Sequence, residues 1–442
     1  MYTLGCVANP TQSQHCMLTL LRQSALDVSL AGGIMLLAMG VCSLLVTLCD
    51  RMGGTFADVV RTNVNKLTSL EGLRGILALA VVAHHSSCWY SYTQTEIWTN
   101  GAHNLFARFG PFGVGQFFYI SGFLFWRKLM KTGSVDFVPF YMSRFLRIAP
   151  VYYTCIFLAL LVGFSVTGFG LHQPQHQLVE SIIAWACFTI GIAPNVNGVD
   201  VSRITAGVTW TLACEWVFYL SLPLLGWFSR KSIRILHLIV AMLAVFAISK
   251  FLSSGYLQNM FLIGTALVFR QFAKFMLIGF GGGIVLANFD GYIRRHIRLS
   301  PTRLNLLLAG SYAFYFFVPS FRGSEILQQL SLFAAFAIIL QGADLFGFLK
   351  SRPIRFLGSI SYDIYLLHGI VLYSFMLLRG GIHPISARSY GIQTSLAIIV
   401  VLTLSSVVHF LVERPSMRVS EAVAHRSSSK GGAGFPIVVI KT

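Results

Sequence analysis

A chain of 442 residues that is 55% hydrophobic and only 11% charged, with a mean hydropathy of +0.70, excludes a soluble globular domain, where about a quarter of residues carry charge. Its formal charge of +18 could suggest nucleic acid, but the basic residues stand in short clusters between apolar runs, the pattern of membrane loops, and no nucleic-acid partner is expected. The eight cysteines form no CxxC pair and no metal-ligand spacing; they read as small buried residues.

Residues 1–27 are weakly polar, with Arg22 the only basic residue. Val28 to Cys49 is apolar and long enough to cross a bilayer. A signal peptide is the alternative, but no basic stretch precedes this run, and Arg51, Arg61 and Lys66 follow it. It therefore reads as an extra spanning helix with its N-terminus outside. Ten core spans are expected after it, at 75–92, 111–128, 150–168, 208–228, 235–252, 272–288, 304–319, 328–346, 360–378 and 393–411. In this layout the inside loops hold 24 Lys and Arg and the outside segments 7, with Lys250 and Lys274 at helix ends. That asymmetry fits the positive-inside rule and places the C-terminus in the cytoplasm.

Glu180 to Ala193 is apolar but falls short of the roughly 20 residues a spanning helix needs. Counting it as a span would invert every later loop, so an outer-face or re-entrant position is expected. The tail after Ser420 is rich in Ser, Gly and Lys and is expected to be loose. The expected organisation is an N-terminal extension over 1–60, a membrane domain over 61–418 and a flexible cytoplasmic tail over 419–442. The fold class is an all-α polytopic membrane protein with about ten core helices plus one.

The residues suited to chemistry concentrate on a few of these helices. In RGILALAVVAHHSSCWY, starting at Arg74, the helical repeat puts Arg74 and His85 within about 20° of each other and about 16 Å apart. His84 turns about 80° from that line. Ionisable groups at such depth usually face the bundle interior, although His85 taken alone serves equally well as a packing histidine. Arg144 and Arg147, in FYMSRFLRIAPVYY, share a helix face and carry guanidinium groups suited to phosphate. Ordinary loop charge is the alternative for them; it does not explain the flanking aromatics or Pro150. Glu215, in WTLACEWVFY, is expensive in a membrane unless paired, hydrated or protonated, so an ion-pair staple competes with a functional role. His368, in GSISYDIYLLHG, follows Tyr362, Asp363 and Tyr365 and could again be a packing histidine. Gly113, Gly115 and Gly122, like Gly281 to Gly283, are expected to permit close helix packing. His237, His296 and His409 stand isolated and carry no assignment. There is no Walker A sequence, GxSxG elbow, HExxH or metal-spaced His/Cys cluster, and no metal is expected.

Taken in order, Arg-x10-His, GVxxFFxISGFL, FYxxRxxRIxPxYY, WxLxxExxFY, GxxSYxxYLxH and a final ExP at Glu413 and Pro415 resemble the acyltransferase-3 family of integral membrane acyltransferases. The resemblance spans about residues 68–418. It is nearest to proteobacterial members that modify surface polysaccharides. It implies transfer of an acyl group, usually acetyl, from cytoplasmic acyl-CoA to a hydroxyl of a glycan or lipid-linked glycan, in a bacterial inner membrane. Carried onto this chain, it implies Arg74 and His85 as the essential pair, with Glu215 and His368 beside them. It further implies Arg144 and Arg147 as donor-binding arginines, and Tyr219 and Tyr365 along the substrate path. No esterase-like domain follows the core, so a separate partner chain, or this chain alone, would complete the transfer.

The residues by themselves allow the same chemistry. A neutral histidine can take the hydroxyl proton, or it can accept the acyl group itself, and the sequence leaves both open. A transporter for an anionic metabolite is the rival class; it would call for repeated halves or broken helices, and the sequence shows neither. An unrelated membrane O-acyltransferase with one buried histidine would not account for the Arg74 and His85 pairing.

Overall fold

A computed structural model of the chain describes residues 10–53, 68–99, 105–132, 137–189, 193–229, 275–319, 321 and 323–430. The expected span at 235–252 lies outside these residues. Described secondary structure is helical apart from one isolated bridge between Val196 and Val199. The protein is an all-α, polytopic membrane protein. Among the described residues, Ser29–Met52, Val138–Val166, Ser361–Leu378 and Ala387–Ala422 are each long and apolar enough to cross a bilayer.

The helices are α1 (Pro10–Met52), α2 (Thr68–Thr95), α3 (Leu105–Thr132), α4 (Phe137–Val166), α5 (Gln175–Ala186) and α6 (Trp210–Ser229). After a π turn at Phe275–Phe280 come α7 (Gly281–His296), α8 (Pro301–Phe317), α9 (Ser324–Leu340), α10 (Arg352–Ser359), α11 (Ser361–Leu378) and α12 (Ala387–Val408). A second π turn, His409–Glu413, leads into α13 (Arg414–Lys430). Helix starts follow local chemistry. Ser300 accepts from the Arg303 amide ahead of Pro301, and Ser386 accepts from the Ser389 amide. At the far end of α8, Arg108 donates to the carbonyls of Tyr315, Phe316 and Val318, which are left over where a helix stops.

Several expected boundaries move. α9 stops at Leu340, short of the expected 346, because Gly342, Leu345, Phe346 and Gly347 all take positive φ and turn the chain. α1 runs well beyond the expected 28–49 at its N-terminal side. α13 continues as helix to Lys430, ten residues into the stretch expected to be loose; residues 431–442 are not described. The first half of the apolar segment, Glu180 to Ala186, belongs to α5, whose 12 residues fall short of the roughly 20 needed to span a bilayer.

Packing centres on α2, which contacts α3, α10, α11, α12 and α1. One large core joins α2, α3, α4, α6, α7, α9 and α11; a second lies where α1 meets α2, α10, α11 and α12, with Ala38, Cys42 and Val46 against Ala78, Leu79 and Val82. Close approach is built from glycines. A side chain at Gly122 would meet the Phe280 carbonyl at 2.3 Å, and one at Gly283 would meet the Tyr119 carbonyl at 2.3 Å. Gly115, expected to do the same, faces open space. Asp50 of α1 pairs with Arg352 of α10 at 2.5 Å and fastens the additional helix to the core.

Candidate active site

α2 presents its two functional candidates as the helical repeat predicts. At its first turns, Arg74 enters a cavity of about 140 Å³ with walls from α3, α4, α6, α11 and α13. Arg144 and Arg147 of α4, Glu215 and Tyr219 of α6, and Tyr362 and Tyr365 of α11 line the same space. The structure thus brings six of the eight singled-out residues, Arg74, Arg144, Arg147, Glu215, Tyr219 and Tyr365, to one cavity, with His85 and His368 beyond it. Tyr219 donates to Glu215 Oε1, so the carboxylate has a hydroxyl partner inside the bundle. Arg144 sits 5.2 Å above the Phe125 ring and donates to Ser143, while its buried Nε has no hydrogen-bond partner.

Val114, Phe117, Thr211 and Tyr365 also line the cavity. Tyr365 is held by Thr211, with 2.9 Å between their hydroxyls, and its ring stands 6.1 Å from that of Phe117. One helical turn further along α11 is His368, fully buried, with His85 of α2 facing it. His368 Nε2 and His85 Nδ1 are 3.0 Å apart, and the rings are 5.1 Å apart.

The backbone fixes which nitrogens hold protons. His368 Nδ1 lies 3.0 Å from the Ile364 carbonyl, which can only accept, so Nδ1 carries the hydrogen and Nε2 is an acceptor. His85 Nδ1 lies 3.1 Å from the Val81 carbonyl as well as 3.0 Å from His368 Nε2. Both neighbours accept, so this nitrogen is also N–H. The lone pair of His85 is therefore on Nε2, the nitrogen neither partner occupies. His84 points elsewhere. Its Nδ1 donates to the Phe106 carbonyl at 3.0 Å, and its ring fills the space left by Gly110 of α3, where a side chain would meet it at 2.7 Å.

Beyond the histidines the chain folds back into the bundle. Asn197, buried, accepts from the His172 amide and donates to the Gly170 carbonyl, both at 2.7 Å. It pins the loop before the single turn Val201–Ile204. The backbone of Thr205 and Ala206 then rests on Gly369, where a side chain would lie 2.4 Å from the Thr205 carbonyl carbon. Only glycine next to His368 admits this contact.

One group of residues escaped the sequence reading. His409, treated there as isolated, lies 2.5 Å from Glu413 Oε2 and 3.4 Å from Asp363 Oδ2. Glu413 reaches Arg147 at 3.0 Å. The signal available was Pro415. It offers no N–H to the carbonyl four residues before it, the helix widens into the π turn, and His409 and Glu413 come together.

A family model described as an acyltransferase domain, Acyl_transf_3, matches residues 67–412. The chain belongs to the acyltransferase-3 family. This acyltransferase is 27% identical over 385 residues to "Acyltransferase MdmB" of Streptomyces mycarofaciens, across 80% of this chain and 92% of that one. It is 34% identical over 140 residues to "Nodulation protein 10" of Rhizobium leguminosarum bv. viciae, across 30% of this chain and 38% of that one. No solved structure matches it. The family match begins near the start of α2 and stops within the second π turn, so α1 and α13 lie outside it.

Proposed function

We propose that this acyltransferase takes an acyl group, acetyl in the simplest case, from cytoplasmic acyl-CoA and delivers it to a hydroxyl of a cell-surface glycan or its lipid-linked precursor. One observation carries the reading: a cavity lined by three arginines and by Tyr365 lies one helical turn of α11 from a histidine pair with a lone pair on His85 Nε2. The arginine end faces the cytoplasm of a bacterial inner membrane, with the C-terminus on that side, as the loop charges favour. Residues 61–418 form the catalytic unit.

In this reading Arg74, Arg144 and Arg147 receive the donor's phosphates. Tyr219 and Glu215 line its route, and Tyr365 guards the passage to the histidines. As the acceptor oxygen attacks the thioester carbonyl, His85 Nε2 takes its proton; the C–S bond breaks and the departing thiolate recovers that proton. His368 holds the ring by accepting from His85 Nδ1–H. In the two-step version Nε2 itself forms the bond to the acyl carbon, expels the thiolate, and passes the acyl group to the hydroxyl. Neither route calls for a metal, and a separate chain could present the acceptor.

The test is direct. Purified protein in liposomes is given radiolabelled acetyl-CoA on the arginine side and lipid-linked glycan in the bilayer. Acetyl ester on the glycan supports the proposal. Uptake of an anionic metabolite without any ester formed would instead favour the transporter.

A further inference from the structure

Behind the arginine wall of the cavity, four ionisable side chains from three segments meet away from water. Arg147 Nη1 of α4 is 3.0 Å from Glu413 Oε1; Glu413 Oε2 is 2.5 Å from His409 Nδ1; Asp363 Oδ2 of α11 is 3.4 Å from that same nitrogen. The Asp363 and Glu413 side chains are completely buried, and those of His409 and Arg147 are 7% and 14% exposed.

Buried charges of this kind are tolerated only as a compensated set. Two carboxyl groups here face one guanidinium, and His409 Nδ1 stands within reach of both. The 2.5 Å between His409 and Glu413 is also a hydrogen-bond distance; two ligands of one ion, each about 2.1 Å from it, sit roughly 3 Å apart.

The two donor-site arginines are thereby different. Arg147 is gripped by Glu413 and rests against Met417 of α13, 2.6 Å from its sulfur. Arg144 has no carboxylate ion-pair partner among the described residues; it interacts with the Tyr219 hydroxyl, and its buried Nε has no hydrogen-bond partner. The same fastening seats Met417 and Ser420 in the cavity wall.

We propose that Glu413, backed by His409 and Asp363, is a positioning residue that fixes the Arg147 guanidinium for the phosphates of the donor. The set governs donor recognition and leaves the transfer step alone. This rests on the acyl-CoA reading above.

Acetyl-pantetheine separates recognition from general damage, because it has the thioester arm without phosphate. Glu413→Gln keeps the shape and removes the charge. Its KM for acetyl-CoA should rise about tenfold, while kcat and the KM for acetyl-pantetheine change by less than about twofold. Should that variant fail to accumulate, the double substitution Asp363→Asn with His409→Gln keeps the Arg147–Glu413 pair and removes the two ionisable groups behind it. It should raise the acetyl-CoA KM about threefold with the same selectivity. Equal rises for both donors, a fall in kcat alone, or no change in either KM would overturn the proposal. So would one equivalent of divalent metal in the purified protein that these substitutions remove. If the unaltered protein uses acetyl-pantetheine and no acyl-CoA, the donor assignment fails before this one is reached.

Discussion

The two ends of the site meet the bilayer in different ways. At the arginine end charge is abundant and shared out: Arg147 is paired with Glu413, and Glu215 takes a hydroxyl from Tyr219. At the histidine end His85 and His368 bond to the Val81 and Ile364 carbonyls and to each other. A charge is costly in a low dielectric, whereas a neutral imidazole satisfied by carbonyls is not. The difference separates a region that recognises phosphate by charge from one that handles a proton or an acyl group with side chains neutral at rest.

The largest effect should come at the histidine end. His85→Ala should lower acyl transfer by about 10²–10⁴-fold, more if the acyl group passes through Nε2, read as ester formed at equal protein level. Substantial transfer by His85→Ala would make the pair structural and erase the comparison. At the arginine end the largest effect should be on folding. Arg147→Ala strips Glu413 of its partner and should destabilise the protein by about 3–5 kcal/mol, seen as a lower thermal midpoint in detergent. An unchanged midpoint would mean the buried set is not a compensated unit.

His368→Ala frees the His85 ring and should slow transfer on the order of 10²-fold, through kcat with donor KM unchanged, because misplacing a reacting group is enough for that. Arg144→Ala should leave the fold intact and weaken acyl-CoA binding by about 10- to 150-fold, the equivalent of about 1.5–3 kcal/mol for a charge-assisted contact. Binding by isothermal calorimetry checks it; unchanged affinity would return Arg144 to ordinary loop charge. His84→Ala should do least, with loss of about 1 kcal/mol of stability from its bond to the Phe106 carbonyl and most activity kept.

How far the sequence reached depended on whether the relevant residues share a helix. Arg74 and His85 do, and the 3.6-residue repeat put them on one line and turned His84 away. Most of the expected spans that fall on described residues are helices, legible because long apolar runs leave the backbone no alternative in lipid. The pairing of His85 with His368 was not, since it depends on how α2 packs against α11. Nor was the Asp363, His409, Glu413 and Arg147 set, which draws on helices far apart in the chain and on a π turn whose only mark is Pro415. Arg144 and Arg147 looked equivalent at three residues' spacing. Only the arrival of Glu413 from the other end of the chain distinguishes them.

The central claim is that donor recognition and acyl transfer are done by separate parts of one path, and His85→Ala tests it most directly. Acyl-CoA affinity and acyl transfer would be measured on the same preparation of that variant and of Arg144→Ala. The account predicts that His85→Ala binds acyl-CoA within about twofold of the unaltered protein and transfers at least about 10²-fold more slowly, while Arg144→Ala binds poorly and still transfers at saturating donor. Loss of donor binding in His85→Ala to the same degree as in Arg144→Ala would contradict it.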